Sequence, residues 1–217
     1  MSRNFNGTTS DYLNAGTSPY LNFTAHMTAS IWVRKQTSAG SKIFGKWHDS
    51  IGQQWLIQLG SSDLLYALYI DGAGVKILNS NPNVLSLNVW QHIAVTYDGL
   101  AMKIYVDGAL QGTRSQSGDI ISRPSTNLTF GIGSNLDSPF EGDLGHSALW
   151  DVSLSDYEIV SLSNGINPLQ IRTNNLLEYW AINGRSPEPG IVHECDAVVN
   201  GTIVSNEPPI PNSIKSP

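Results

Sequence analysis

Two acidic side chains in the run Phe140-Glu141-Gly142-Asp143-Leu144-Gly145-His146 offer acid and base chemistry at close spacing. In an extended strand residues i and i+2 face the same side, so Glu141 and Asp143 would project together. A glycosidase needs two carboxyls across one groove, roughly 5–5.5 Å apart for retention and 6.5–9.5 Å for inversion. A strand-entry pair of solvated acids is the plainer reading of the same residues. Nucleophilic hydrolysis has less support, because no Gly-x-Ser-x-Gly elbow accompanies the Ser, His and Asp residues present. The five histidines, His26, His48, His92, His146 and His193, are isolated, and none sits at helical metal-ligand spacing.

Binding chemistry is better represented. Asn6, Asp11, Asp137 and Asp143 offer hard oxygen atoms at expected loop ends, which makes calcium the candidate cofactor, although no Asp-x-Asp-x-Asp run marks a site. Turn chemistry explains Asn and Asp at those places equally well. A sugar would be taken by a flat ring beside amides and carboxylates. Trp47, His48 and Asp49 fall in an expected loop, with Trp55, Tyr66 and Tyr69 on neighbouring strands. Trp47 is the ring expected to be exposed, the alternative being a ring that covers the sandwich edge. Asn6, Asn22, Asn127 and Asn200 each begin a glycosylation sequon, here read as chance products of an Asn- and Thr-rich chain.

Composition narrows the classes. Twelve Lys and Arg against 18 Asp and Glu give a net charge of −6, which argues against a phosphate backbone as partner. No apolar run approaches the roughly 20 residues that cross a bilayer, and no apolar segment follows Met1-Ser2-Arg3-Asn4. The expectation is a chain made in the cytoplasm without a signal peptide. Cys195 is the single cysteine, so intrachain disulfides and thiolate zinc clusters are excluded.

The elements that must position these residues read as short β-branched and aromatic runs between Gly, Asn, Asp, Ser and Pro. Strands are expected over 30–35, 55–59, 64–70, 92–98, 103–107, 128–133 and 144–150, with two more over 176–181 and 197–204. Ile93, Val95 and Tyr97 should face the core, and His92, Ala94 and Thr96 outward or into a groove. Such strands cannot bury a face alone, so a second sheet must cover them. Leu154-Ser155-Asp156-Tyr157-Glu158-Ile159 has the spacing of a capping box with a hydrophobic staple, and Asn164-Gly165 supplies a stop. A helix over 156–163 is expected. Pro208-Pro209-Ile210-Pro211 predicts an extended arm, giving one domain over 1–207 and a tail over 208–217.

Several runs together resemble the laminin-G-like branch of the concanavalin A-like lectin and glucanase superfamily. They are Phe23-Thr24 leading to Ser30-Ile31-Trp32-Val33; Val89 to Gly99; Ile104-Tyr105-Val106-Asp107-Gly108; Phe140-Glu141-Gly142; and the helix start at Leu154. The resemblance implies an all-β, two-sheet antiparallel jelly roll with one short α-helix. It places Trp32, Trp90, Trp150 and Trp180 at core positions. It implies much less about activity, since the superfamily holds lectins, glycan hydrolases, adhesion modules and structural parts. The sequence departs from the catalytic pattern, because the glutamate, aspartate, glutamate series of the glucanases ends at Gly145, and the acidic pair usual at 145 and 146 is replaced by Gly and His.

The reading that follows is a non-catalytic interaction module. Its expected setting is a bacteriophage virion, as a structural or decoration protein with adhesion to host glycans and with virion proteins or further copies of itself as partners. A free-standing lectin, calcium-dependent or not, is the alternative, and a glycan hydrolase ranks below both. Neither nucleic acid nor membrane insertion is expected.

Overall fold

The computed structural model describes residues 1–37 and 40–205. In chain order the strands are β1 (Ser2–Asn6), β2 (Tyr12–Gly16), β3 (Met27–Lys35), β4 (Ser41–Lys46), β5 (Trp55–Leu59), β6 (Leu64–Ile70), β7 (Gly74–Asn79), β8 (Gln91–Tyr97), β9 (Ala101–Val106), β10 (Ala109–Ser115), β11 (Leu128–Phe130) and β12 (Glu141–Trp150). Helix α1 (Asp156–Ser163) follows, then β13 (Leu176–Trp180), β14 (Val198–Asn200) and β15 (Ile203–Ser205). One sheet runs β10-β9-β8-β3-β12-β1-β15, with β13 also paired to β12, and the other runs β14-β2-β11-β4-β5-β6-β7. Every named strand pairing is antiparallel, so the expected two-sheet jelly roll with one helix is what forms. No described helix is long and apolar enough to cross a membrane.

Alternation builds the core. Ile93, Val95 and Tyr97 of β8 are at most 1% exposed and join Phe44, Trp55, Tyr66, Phe130 and Trp180 in one cluster between the sheets. Phe44 stacks on Phe130 at 4.5 Å and meets Trp55 edge-on at 4.8 Å, while Phe130 reaches Trp180 of the opposite sheet at 5.2 Å. Such pairs add about 0.5–1.5 kcal/mol each beyond area burial. The other face of β8 corrects the sequence reading. His92, Ala94 and Thr96 are buried as well, because part of that face is roofed over: Ala94 packs with Tyr105, Trp150, Leu154, Ile159 and Leu162.

The roof is α1. Ser155 Oγ accepts from Glu158 N, and Ser155 N donates to Glu158 Oε2 at 2.8 Å, so the capping box forms. Leu154 and Ile159 are buried beside it, and the left-handed stop falls on Gly165, at φ +88°. In β12 a bulge at His146, φ +41°, inverts the alternation, so that Leu144 and Leu149 both reach the core. The hairpin between β9 and β10 turns on Asp107 and Gly108, both at positive φ, as Asp-Gly turns require.

Three expectations change. The strand expected over 128–133 stops at Phe130, because Gly131 turns at φ +78° with Phe5 packed so close that a Cβ there would lie 2.5 Å from its ring. The strand expected over 197–204 divides at Gly201, φ +63°, into β14 on one sheet and β15 on the other. Trp90 is half-buried and lies beneath the Arg34 guanidinium, outside the main core. The Pro-rich tail over 208–217 lies outside the described residues.

The segment carrying β14 and β15 is fastened by two wholly buried carboxylates. Glu178 accepts from four backbone N–H groups, those of Tyr179, Val192, His193 and Cys195. Glu188 accepts from Asn183 N, Gly184 N and Arg3 Nε, the last at 2.5 Å, while the rest of the Arg3 guanidinium donates to Arg185 O and Thr202. These acids close one side of the sandwich, with both oxygens of each carboxylate accepting from within the chain.

A candidate ligand cavity at the β4–β5 and β10–β11 loops

Outward-facing residues of the second sheet lead to the site. Along β6, Leu64, Tyr66, Leu68 and Ile70 enter the core, so Leu65, Ala67 and Tyr69 have the opposite parity. Tyr69 carries the Arg123 guanidinium over its ring, 5.1 Å from the centroid. Two backbone bonds hold this pair. Ile121 N donates to Tyr69 O at 2.9 Å, and Arg123-Pro124-Ser125-Thr126 closes a turn through Thr126 N to Arg123 O at 3.1 Å. Proline in second position suits that turn because its ring presets φ.

Beside Arg123 lies an open cavity of about 410 Å³, lined by His48 and Ile51 from one loop, by 122–127 from another, and by Ser134. That volume falls within the ~300–1,000 Å³ of small-ligand sites. The wall mixes apolar surface, Ile51 and Pro124 included, with hydroxyl, amide and guanidinium groups, and no carboxylate lines it. The 48–52 loop is pinched by reciprocal bonds between His48 and Gly52 at 3.3 Å, and Gly52 approaches Thr126 so closely that a Cβ there would lie 2.1 Å from its Oγ1. The two loops are therefore in register only with glycine at 52.

Behind the cavity the loop is braced by charge. Lys42 Nζ donates to Asp49 Oδ1 at 2.6 Å and to Asp137 Oδ2 at 2.5 Å, and Trp47 Nε1 donates to Asp49 Oδ1 at 2.9 Å. Burial pushes the Asp49 carboxyl up, but the hydrogen bonds with Lys42 and then Asp137 outweigh it and hold it below the usual carboxylate range. Ser134 seals the base through its N–H and Oγ to Trp47 O, both at 2.9 Å.

The residues proposed for sugar binding divide sharply. His48 lines the cavity, Tyr69 supports Arg123, and Asp49 anchors the loop behind them. Trp55 and Tyr66, both 0% exposed, belong to the interlayer core, so neither ring can meet a ligand. Trp47 is 7% exposed and packs on Leu56 and Ala67, covering the sheet as the alternative had it. Arg123 escaped the sequence reading: its partner Tyr69 lies on another element, and only the Ser/Thr/Asn-rich run around it hinted at a site.

The four oxygen donors proposed for calcium do not converge. Asp137 is occupied by Lys42, Asp143 takes Arg34 at 2.7 Å, and Asp11 accepts from Asn6 N at 3.2 Å in the β1–β2 turn. An ammonium stands between Asp49 and Asp137 where a cation would go, and among the described residues no group of three His, Cys, Asp or Glu could hold a metal ion. The set does not fit calcium. Cys195 is buried, and burial pushes its thiol up, away from reactivity.

Comparison with known proteins agrees with the architecture. A laminin-G family model, described as Concanavalin A-like lectin/glucanases superfamily, matches residues 6–160. The chain belongs to that superfamily. Mouse Pappalysin-1 is 41% identical over 113 residues, a stretch that is 46% of this chain and 7% of that protein. The chain thus spans a small fraction of that relative. Among solved structures, a Bacteroides ovatus protein provisionally described as carbohydrate binding superposes at TM-score 0.73 with 18% identity, covering 94% of this chain and 59% of the other. A heptameric SAP-like pentraxin from Limulus polyphemus superposes at 0.58 with 17% identity, covering 77% of this chain and 84% of the other. At those identities this superfamily member shares their fold.

Proposed function

We propose that the chain is a non-catalytic binding module that takes a carbohydrate in the cavity between the 48–52 and 122–127 loops. The observation that carries this reading is the wall itself, in which hydroxyls, an amide and a guanidinium converge on about 410 Å³ without a carboxylate among them. Sugar hydroxyls need such dispersed donors and acceptors, whereas glycoside cleavage needs two aimed acids. The one acid pair raised by the sequence supports the same side, since Asp143 Oδ2 accepts from Arg34 Nε at 2.8 Å. The carbohydrate-binding description of the Bacteroides ovatus neighbour is consistent with it, although one fold serves many functions.

A glycan array probed with the native protein and with Gly52→Val tests the reading. Specific retention by the native chain and its loss in the variant are expected. Shortening of a polysaccharide by purified protein, or an array without any specific signal, would overturn it. The setting proposed for this activity is the surface of a virus particle that adheres to host glycans, and cosedimentation with purified particles checks it.

A further inference from the structure

We infer that the sugar held in this cavity is an anionic one, with a carboxylate or sulfate ester seated on Arg123; the inference rests on the carbohydrate reading above. Of the cavity's lining residues, Arg123 and His48 are the basic ones and none is acidic. Arg123 has no ion pair among the described residues, and its Nε is shut from water without a hydrogen-bond partner. The guanidinium therefore has no anionic partner within the described residues, and an anionic oxygen entering the cavity that Arg123 lines would supply one.

The geometry prepares that contact. The Tyr69 ring beneath the guanidinium stabilises the cation and fixes the plane of its donors, and the Arg123–Thr126 turn fixes the backbone from which it extends. A planar fork with few orientations left matches a carboxylate or sulfate with two parallel hydrogen bonds, which an ammonium cannot do. The chain as a whole carries −6, so no general field draws anions in, and the attraction is confined to this side chain. Surrounding hydroxyls on Ser122, Ser125 and Thr126 suit the neutral part of the same sugar.

Isothermal titration of the native protein with four probes tests this: a galacturonic acid trimer, its methyl ester, a sulfated galactose trimer and its unsulfated counterpart. The acid or sulfated probe should bind roughly 10- to 100-fold more tightly than its neutral partner, the span of one charge-assisted contact. Arg123→Gln should erase that preference, Arg123→Lys should restore only part of it, and neither should shift the melting temperature. Whichever charged arm is preferred names the source of the anion. Equal binding of charged and neutral partners would overturn the inference while leaving the carbohydrate reading intact. An array that shows binding to neutral glycans alone would do the same, and silence from every glycan would remove both.

Discussion

Two sides of this sandwich treat buried polar groups in opposite ways. Where the last strands fasten the sheets, Glu178 has four backbone donors and Glu188 has three partners, so every charge is answered from within the chain. At the loop cavity, Arg123 Nε has none. An orphan atom by itself says little, since Gln54 Oε1, Trp55 Nε1 and Tyr66 Oη also lack partners and belong to buried residues. What separates Arg123 is that the residue carrying the orphan lines an open cavity. Satisfied groups explain architecture, and an unsatisfied one beside a cavity points to something from outside.

Several measurements would break or sharpen that contrast. Glu178→Ala strands four N–H groups, two of them buried and two partly buried, and should destabilise the protein by about 4 kcal/mol, read from urea denaturation. A loss under about 1 kcal/mol would mean that the clasp does not hold the fold.

Acid should weaken the same sheet next. Burial pushes His92 down to about 3, and burial with the N-terminal charge pushes His146 to about 4, both from 6.5. Between those values the unfolded chain binds protons that the folded one does not. Stability is therefore full above pH 6.5 and falls toward pH 4, by at most roughly 1.4 kcal/mol per pH unit per histidine. His92→Gln should lessen the slope of denaturation midpoint against pH; an unchanged slope would place the acid sensitivity elsewhere.

Lys46 lies between the two cases, fully buried with its Nζ donating to Asn22 Oδ1 at 2.7 Å. Burial pushes its ammonium down from 10.5 to about 8. The unfolded chain holds the extra proton between those values, so the cost is fully present below pH 8 and disappears as pH rises toward 10.5. Lys46→Met should accordingly stabilise the protein by about 1–3 kcal/mol at pH 7, with the gain shrinking at alkaline pH. A destabilised variant would show that the Asn22 contact outweighs desolvation.

Smallest of all, Arg123→Gln should leave unfolding free energy within about 0.5 kcal/mol of native. A larger loss would make Arg123 part of the scaffold and dissolve the contrast.

The fold was largely legible from period-2 runs and turn residues, as 55–59 and 64–70 show, and the Ser155–Glu158 spacing located α1 to the residue. The site was legible only as a neighbourhood. Trp55 and Tyr66 share parity with Ile57 and Leu64, which marks them as inward-facing, but an aromatic side chain reads equally as core or as sugar platform. Lys46 shares parity with Phe44 on β4, a place where sequence patterning does not expect a charge. The Arg123–Tyr69 contact joins an irregular loop to a strand 54 positions away, beyond any local pattern.

Ser2 of β1 stands in register with Ser205 of β15, so the chain enters and leaves the described body side by side, about 5 Å apart. A body with neighbouring ends can be spliced into a surface turn of a host domain, strung in tandem or circularly permuted with little strain on either junction. Portability of that kind comes from the seam between its first and last described strands.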